Sequence, residues 1–307
     1  MQPATCHLPP QGNRPQDNIQ VQTMNQLTHA ENTPIHWWAR LILGFVALNA
    51  FVGAAILTLL PDQTERFFFW PIKPAINAAL FGALYLGGAT AVAFAVWRNE
   101  WESARYLTPI LVAAGILISL VTLLHLDRFT PGIRLVYWLV VYIGAPLLAL
   151  LIYAAQERQG SNWTVTEPVR PLTRTIALLT GGGVLLLGLS LIVWPQTAVV
   201  AWPWPTTTLM VRIFAAWFGA FGVGLLWFGI ERDWRRLIGI PNLMMVSAGL
   251  DLLMLFLHRQ EVTGSGLSLW FYGGHLALFG LLGGWLHWLQ RQPQMTTNSL
   301  KKKEFLS

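Results

Sequence analysis

Charge is what this chain has least of. Only 11% of its 307 residues are Asp, Glu, Lys or Arg, against about 25% in an ordinary soluble domain. That shortfall excludes a disordered chain and a soluble enzyme with a normal polar surface. Cysteine is nearly missing as well. Cys6 is the only one, which excludes an intramolecular disulfide, a cysteine zinc site and an iron–sulfur cluster. The sequence has no Walker A, HExxH, GxSxG or CxxCH pattern and no lysine inside a long apolar run. Nothing in it therefore points to an ATPase, a zinc protease or a retinal protein. Its first residues lack the basic start and the roughly 7–15-residue apolar core of a secretory signal.

What the chain has instead is apolar length. Hydrophobic residues make up 54% of it, with 16 Trp and 27 Gly, and the mean hydropathy is +0.49. Membrane interfaces collect Trp, and spanning helices tolerate Gly. Eight apolar runs approach the ~20 residues that a helix needs to cross the bilayer core. They are Trp38–Leu60, Ala75–Trp97, Leu107–Leu126, Leu135–Ala155, Thr175–Trp194, Leu209–Ile230, Pro241–Leu257 and Leu269–Leu289. The expected fold class is all-α: a polytopic integral membrane protein with eight transmembrane helices.

A repeat runs through these segments. A shift of 133 positions places Phe81 on Phe214, Trp101 on Trp234 and His125 on His258. With a slip of one residue, Trp70-Pro71 meets Trp202-Pro203, Pro61 meets Pro195 and Arg40 meets Arg174. Ordered matches of Trp, His and Trp-Pro are hard to obtain by chance, even in an apolar chain. Two four-helix repeats are expected, over residues 36–155 and 175–291, joined by a linker at 156–174. The polar stretch 1–35 reads as a disordered tail, with Met24 as an alternative start, and 292–307 as a basic tail ending in Lys301–Lys303.

Basic residues give the orientation. Fourteen of the 20 lie on the side that carries both termini, so both termini are expected in the cytoplasm of a cell bounded by this plasma (inner) membrane. Each repeat has an even number of helices, so the two should run parallel, related by an axis along the membrane normal. The net charge of +6 is scattered over short loops. It is expected to touch anionic headgroups, not nucleic acid.

Three polar residues fall inside apolar runs of the second repeat: Arg212, Asp251 and His275. Their counterparts in the first are Ala79, Ile118 and Tyr142. A carboxylate at the depth of Asp251 is costly unless paired, protonated or wetted, and by default it raises a functional hypothesis. Arg212 lies on a small-residue stripe, with Ala216, Ala220 and Gly224, that favours close packing. The three are expected to converge, either as a structural cluster or as an ion or proton site opening outward. His125 and His258 sit at matched outer helix ends and Trp70 and Trp202 in matched outer loops. Interfacial anchoring is the expected role of the tryptophans, with ligand recognition as the sharper alternative. A haem between the histidines is the weaker reading, and no cofactor or metal is expected.

The activity is not written in any motif. The leading expectation is transport or permeation of a small polar solute or proton, and catalysis is not favoured. A non-catalytic membrane subunit or scaffold is the alternative, with membrane protein partners or a second copy of the chain beside the bilayer. A membrane redox or lipid-modifying enzyme comes third.

Overall fold

The computed structural model describes residues 33–159, 164–264 and 266–292. The tail before residue 33, the basic tail with Lys301–Lys303, and Cys6 and Met24 lie outside them. Eight long helices carry the described chain: α1 (Trp37–Leu59), α2 (Ala75–Arg98), α3 (Leu107–Leu124), α4 (Ile133–Glu157), α5 (Pro171–Val193), α6 (Thr208–Leu226), α7 (Gly239–Leu257) and α8 (Gly266–Arg291). All eight are long and apolar enough to span a membrane. No β-strand occurs among the described residues. Local chemistry explains several boundaries. Asn99, left-handed at φ 54°, closes α2, a conformation Asn tolerates better than most residues. Pro171 opens α5 at a position where a missing N–H does no harm. The Thr207 hydroxyl accepts from the Met210 amide to cap α6.

Four helices form the centre and four the periphery. In α2, α3, α6 and α7, between 44 and 72% of the apolar stretch is buried, against 11 to 28% in α1, α4, α5 and α8. The most extensive pairings are α1 with α2, α3 with α4, α5 with α6, α7 with α8, and, between the halves of the chain, α2 with α7 and α3 with α6. This set is unchanged when each helix is exchanged for the one four places along. The outer helices point large apolar side chains away from the protein, among them Leu41, Phe45, Leu147, Leu151, Leu179, Leu186, Leu278 and Leu281.

Small residues let the helices close on one another. On α5 a Cβ at Gly188 would lie 2.7 Å from the carbonyl oxygen of Ala215 and 2.8 Å from the amide of Gly219. Both are backbone atoms of α6 and cannot rotate away. Between the halves, a Cβ at Gly87 would lie 2.5 Å from the Ser247 hydroxyl of α7. Gly188→Ala is expected to destabilise by about 1–3 kcal/mol through overpacking. Gly44→Ala, where nothing lies within 4 Å, should be neutral or mildly stabilising. Thermal unfolding of the two variants in detergent checks the contrast.

Two faces follow from the hairpins. One, the terminal face, gathers the start of α1, the α2–α3 and α6–α7 loops, the end of α4, the start of α5 and the end of α8. Bonds such as Trp101 N–H to Thr33 O, at 2.9 Å, tie it together. The opposite face gathers the four remaining loops.

Candidate functional site

On the opposite face, the loop before α2 is folded back by Thr64. This fully buried hydroxyl accepts from the Ile72 amide at 2.8 Å and donates to the Ile72 carbonyl at 3.2 Å. The fold-back tucks Trp70 beneath the loop, 2% exposed, against Phe68, Phe81, Phe129 and Trp138. Trp202 packs in the same way on Trp204, Phe214 and Tyr272. For Trp70, buried within the protein, the expected interfacial anchoring gives way to a packing role. Trp70 is buried and Trp202 half-buried, while Trp101 and Trp234 are buried. Outward-facing tryptophans sit instead on the long helices, as Trp37, Trp97, Trp270 and Trp288 do.

Asn77, at the start of α2, stitches the halves together. Its amide donates to the Lys73 carbonyl (3.0 Å) and the Pro205 carbonyl (3.1 Å), and its oxygen accepts from Trp204 Nε1 (2.9 Å) and the Thr206 hydroxyl (3.2 Å). All four of its hydrogen-bonding positions are used. Beside it, Glu261 accepts from the Ile76 amide at 3.0 Å and meets His258 Nδ1 at 2.7 Å. A carboxylate at the positive end of a helix is well placed. Between these groups opens a cleft of 680 Å³, lined by Asp62, Lys73 and Pro74 from the first half and by Thr206, Thr207, His258, Glu261 and Thr263 from the second. Its size falls in the range of small-molecule sites, roughly 300–1,000 Å³. Its walls offer an ammonium, two carboxylates, an imidazole and three hydroxyls.

The three residues singled out inside the apolar runs do not meet. Arg212 donates from Nη1 to His125 Nε2 and from Nε to the Ile192 carbonyl, both at 2.8 Å. His275 is exposed and bonds the Phe271 carbonyl of its own helix at 2.6 Å. Its residue position is about 100° around α8 from Leu276, which marks the buried side, so equal depth did not mean a shared direction. Asp251 is buried, facing protein, and its Oδ1 has no hydrogen-bond partner. Among the described residues no hydrogen bond or ion pair joins any two of the three.

The matched histidines occupy matched junctions. His125 ends α3 beside the start of α6, and His258 ends α7 beside the start of α2. Each ring is engaged by its own partner, Arg212 in one case and Glu261 in the other. Because a guanidinium only donates, His125 accepts at Nε2 and is neutral, with its proton on Nδ1. Burial, and then the Arg212 charge, hold it below the ordinary imidazole range; Asp127 opposes and Arg128 adds to this. A histidine lowered on folding contributes stability above about pH 6.5 that is lost as pH falls through its folded-state value. Stability should therefore decline on acidification, and His125→Gln should flatten part of that decline in a pH series of unfolding temperatures.

The terminal face holds a network that sequence reasoning missed. Glu102, 2% exposed, pairs with Arg236 across the halves at 2.6 Å. Arg105 pairs with Glu157 at 2.9 Å and with Glu231 of the second half at 3.4 Å, and Arg236 also meets Glu231 at 3.3 Å. Trp101 Nε1 donates to Glu157 at 2.9 Å. The available signal was the i, i+3 pair Glu102 and Arg105 beside Trp101, in a loop too short to leave those charges in water. The chain matches no protein-family model, no curated protein and no solved structure.

Proposed function

We propose that this is a plasma-membrane carrier for a small polar solute with both positive and negative groups, taken up through the cleft on the opposite face. One observation carries the reading: the cleft lies on the seam between the halves and presents charges of both signs, Lys73 against Asp62 and Glu261. In this reading the halves are two parallel four-helix repeats, supported by the exchange-invariant helix pairings and the matched Trp, Pro and His positions. Parallel-repeat carriers work by rocking one half against the other around a site between them. The apolar outer faces suit lipid and would be an aggregation surface in water. The basic excess favours a cytoplasmic terminal face, so the cleft opens outward while the Glu102–Arg236 network holds the cytoplasmic end shut.

Asp251 supplies the coupling group. It lies seven residues before the cleft residue His258 on α7, about 10 Å along the helix, with an unpartnered buried oxygen. A group of this kind suits proton relay in a membrane. The test is uptake of a panel of amino acids and other zwitterions by reconstituted vesicles under an imposed pH gradient. Saturable, gradient-driven uptake is expected, abolished in a folded Asp251→Asn protein and weakened about tenfold or more in apparent affinity by Lys73→Gln. No uptake of any member of the panel, or uptake indifferent to Asp251→Asn, would contradict the reading and leave the scaffold alternative.

A further inference from the structure

A second cleft, of 410 Å³, lies on the terminal face where the start of α5 meets the end of α8. Its charged walls are Arg170, Arg291 and Glu167, with Trp234, His287 and Gln290 beside them. Neither arginine has an acidic partner among the described residues, and the Glu167 carboxylate likewise has no basic one. This differs from the nearby Arg105 and Arg236, which are saturated by carboxylates. The Gln290 side chain is used to pin the wall, accepting from the Arg170 amide at 3.2 Å and donating to the Pro168 carbonyl at 2.9 Å. His287 is held by Asn242 at 2.8 Å and stands edge-on to Trp234. The neutral polar side chains of the pocket are thus engaged, while its three charges have no ion-pair partner among the described residues. Leu172, two residues after Arg170, and Trp288, one after His287, are exposed apolar side chains.

We propose that this cleft binds the headgroup of a phospholipid of the cytoplasmic leaflet that carries a phosphodiester and an ammonium. Two guanidiniums are suited to phosphate oxygens, by charge and by paired N–H donors. Glu167 repels a bare anion but takes an ammonium a few ångströms further along the headgroup. Leu172 and Trp288 give the acyl chains an apolar wall, which a soluble phosphate would not need. The site rests on the proposed orientation, with this end of the helices at the cytoplasmic membrane surface, and not on solute transport, whose failure would leave it standing.

The experiment is native mass spectrometry of the purified full chain in detergent, titrated with dioctanoyl phosphatidylethanolamine, dioctanoyl phosphatidylglycerol, dioctanoylglycerol and inorganic phosphate. Phosphatidylethanolamine is expected to bind at least tenfold tighter than dioctanoylglycerol or phosphate. Arg170→Gln with Arg291→Gln should remove at least tenfold of that affinity, and Glu167→Gln should weaken phosphatidylethanolamine but not phosphatidylglycerol. Should the arginine variants not fold, the ranking of the four probes on the unaltered protein decides. Phosphate binding as tight as the lipid, or lipid binding that is indifferent to the headgroup or to folded arginine variants, would overturn the assignment.

Discussion

Arg236→Ala is expected to destabilise the protein by about 3–5 kcal/mol, the cost of stranding one member of a buried ion pair. Glu102 is 2% exposed and its carboxylate lies 2.6 Å from the Arg236 guanidinium. Its remaining cation is Arg105 at 3.9 Å, which is already shared with Glu157 and Glu231. Removing Arg236 leaves Glu102 with too little positive charge and no water to replace it. Glu102→Gln together with Arg236→Met should recover much of the loss, since two neutral groups of similar size carry no stranded charge. Unfolding temperatures of Arg236→Met, of Glu102→Gln and of the double variant form the cycle that measures this. Additive losses would mean the pair is not coupled.

Asn77→Ala comes next, at roughly 2–4 kcal/mol. One side chain satisfies a buried indole N–H, a hydroxyl and two carbonyls from both halves of the chain. Truncation leaves the Trp204 Nε1 donor in a buried position, with Trp204 itself only 2% exposed. An unmet buried donor costs about 1–3 kcal/mol, and the loss of the Pro205 and Thr206 bonds loosens the wall of the cleft. Asn77→Asp offers acceptors but no amide donors, so it should recover the Trp204 bond and not the two carbonyl bonds. Chemical unfolding in detergent should rank the proteins as unaltered, Asp variant, Ala variant.

The helices were legible in the sequence as apolar runs long enough to cross a bilayer, and their ends differ from the expected spans by only a few residues. The largest differences are four residues each: α6 ends at Leu226 instead of Ile230, and α5 starts at Pro171 instead of Thr175. There the charged Arg174 is accommodated inside the helix by donating to the Gly229 carbonyl at 2.5 Å. Asp251 was legible too, as a carboxylate whose depth required protein around it. Its partners were not. Depth along a helix can be counted from sequence, but azimuth depends on which neighbour each face meets. Arg212 therefore found His125, across the α3–α6 contact, in place of Asp251. Charges in the short loops are expected from sequence to set orientation and touch headgroups; Glu102 and Arg105 are buried because both loops fold onto the same seam. Asn77 gave no signal at all, since a single Asn at a helix start is most simply a cap.

The central claim is that the cleft between the halves opens away from the cytoplasm while the ion-paired end faces it. Cysteine labelling tests this most directly, because Cys6 is the only native thiol and Cys6→Ser removes it. On that background Thr263→Cys marks the cleft wall and Arg232→Cys the terminal face, both at exposed positions. With a membrane-impermeant maleimide on intact cells, Thr263→Cys should be labelled and Arg232→Cys should react only after the membrane is opened. A transported zwitterion should then slow labelling at Thr263→Cys. Labelling of Arg232→Cys from outside, with Thr263→Cys protected until lysis, would contradict the account.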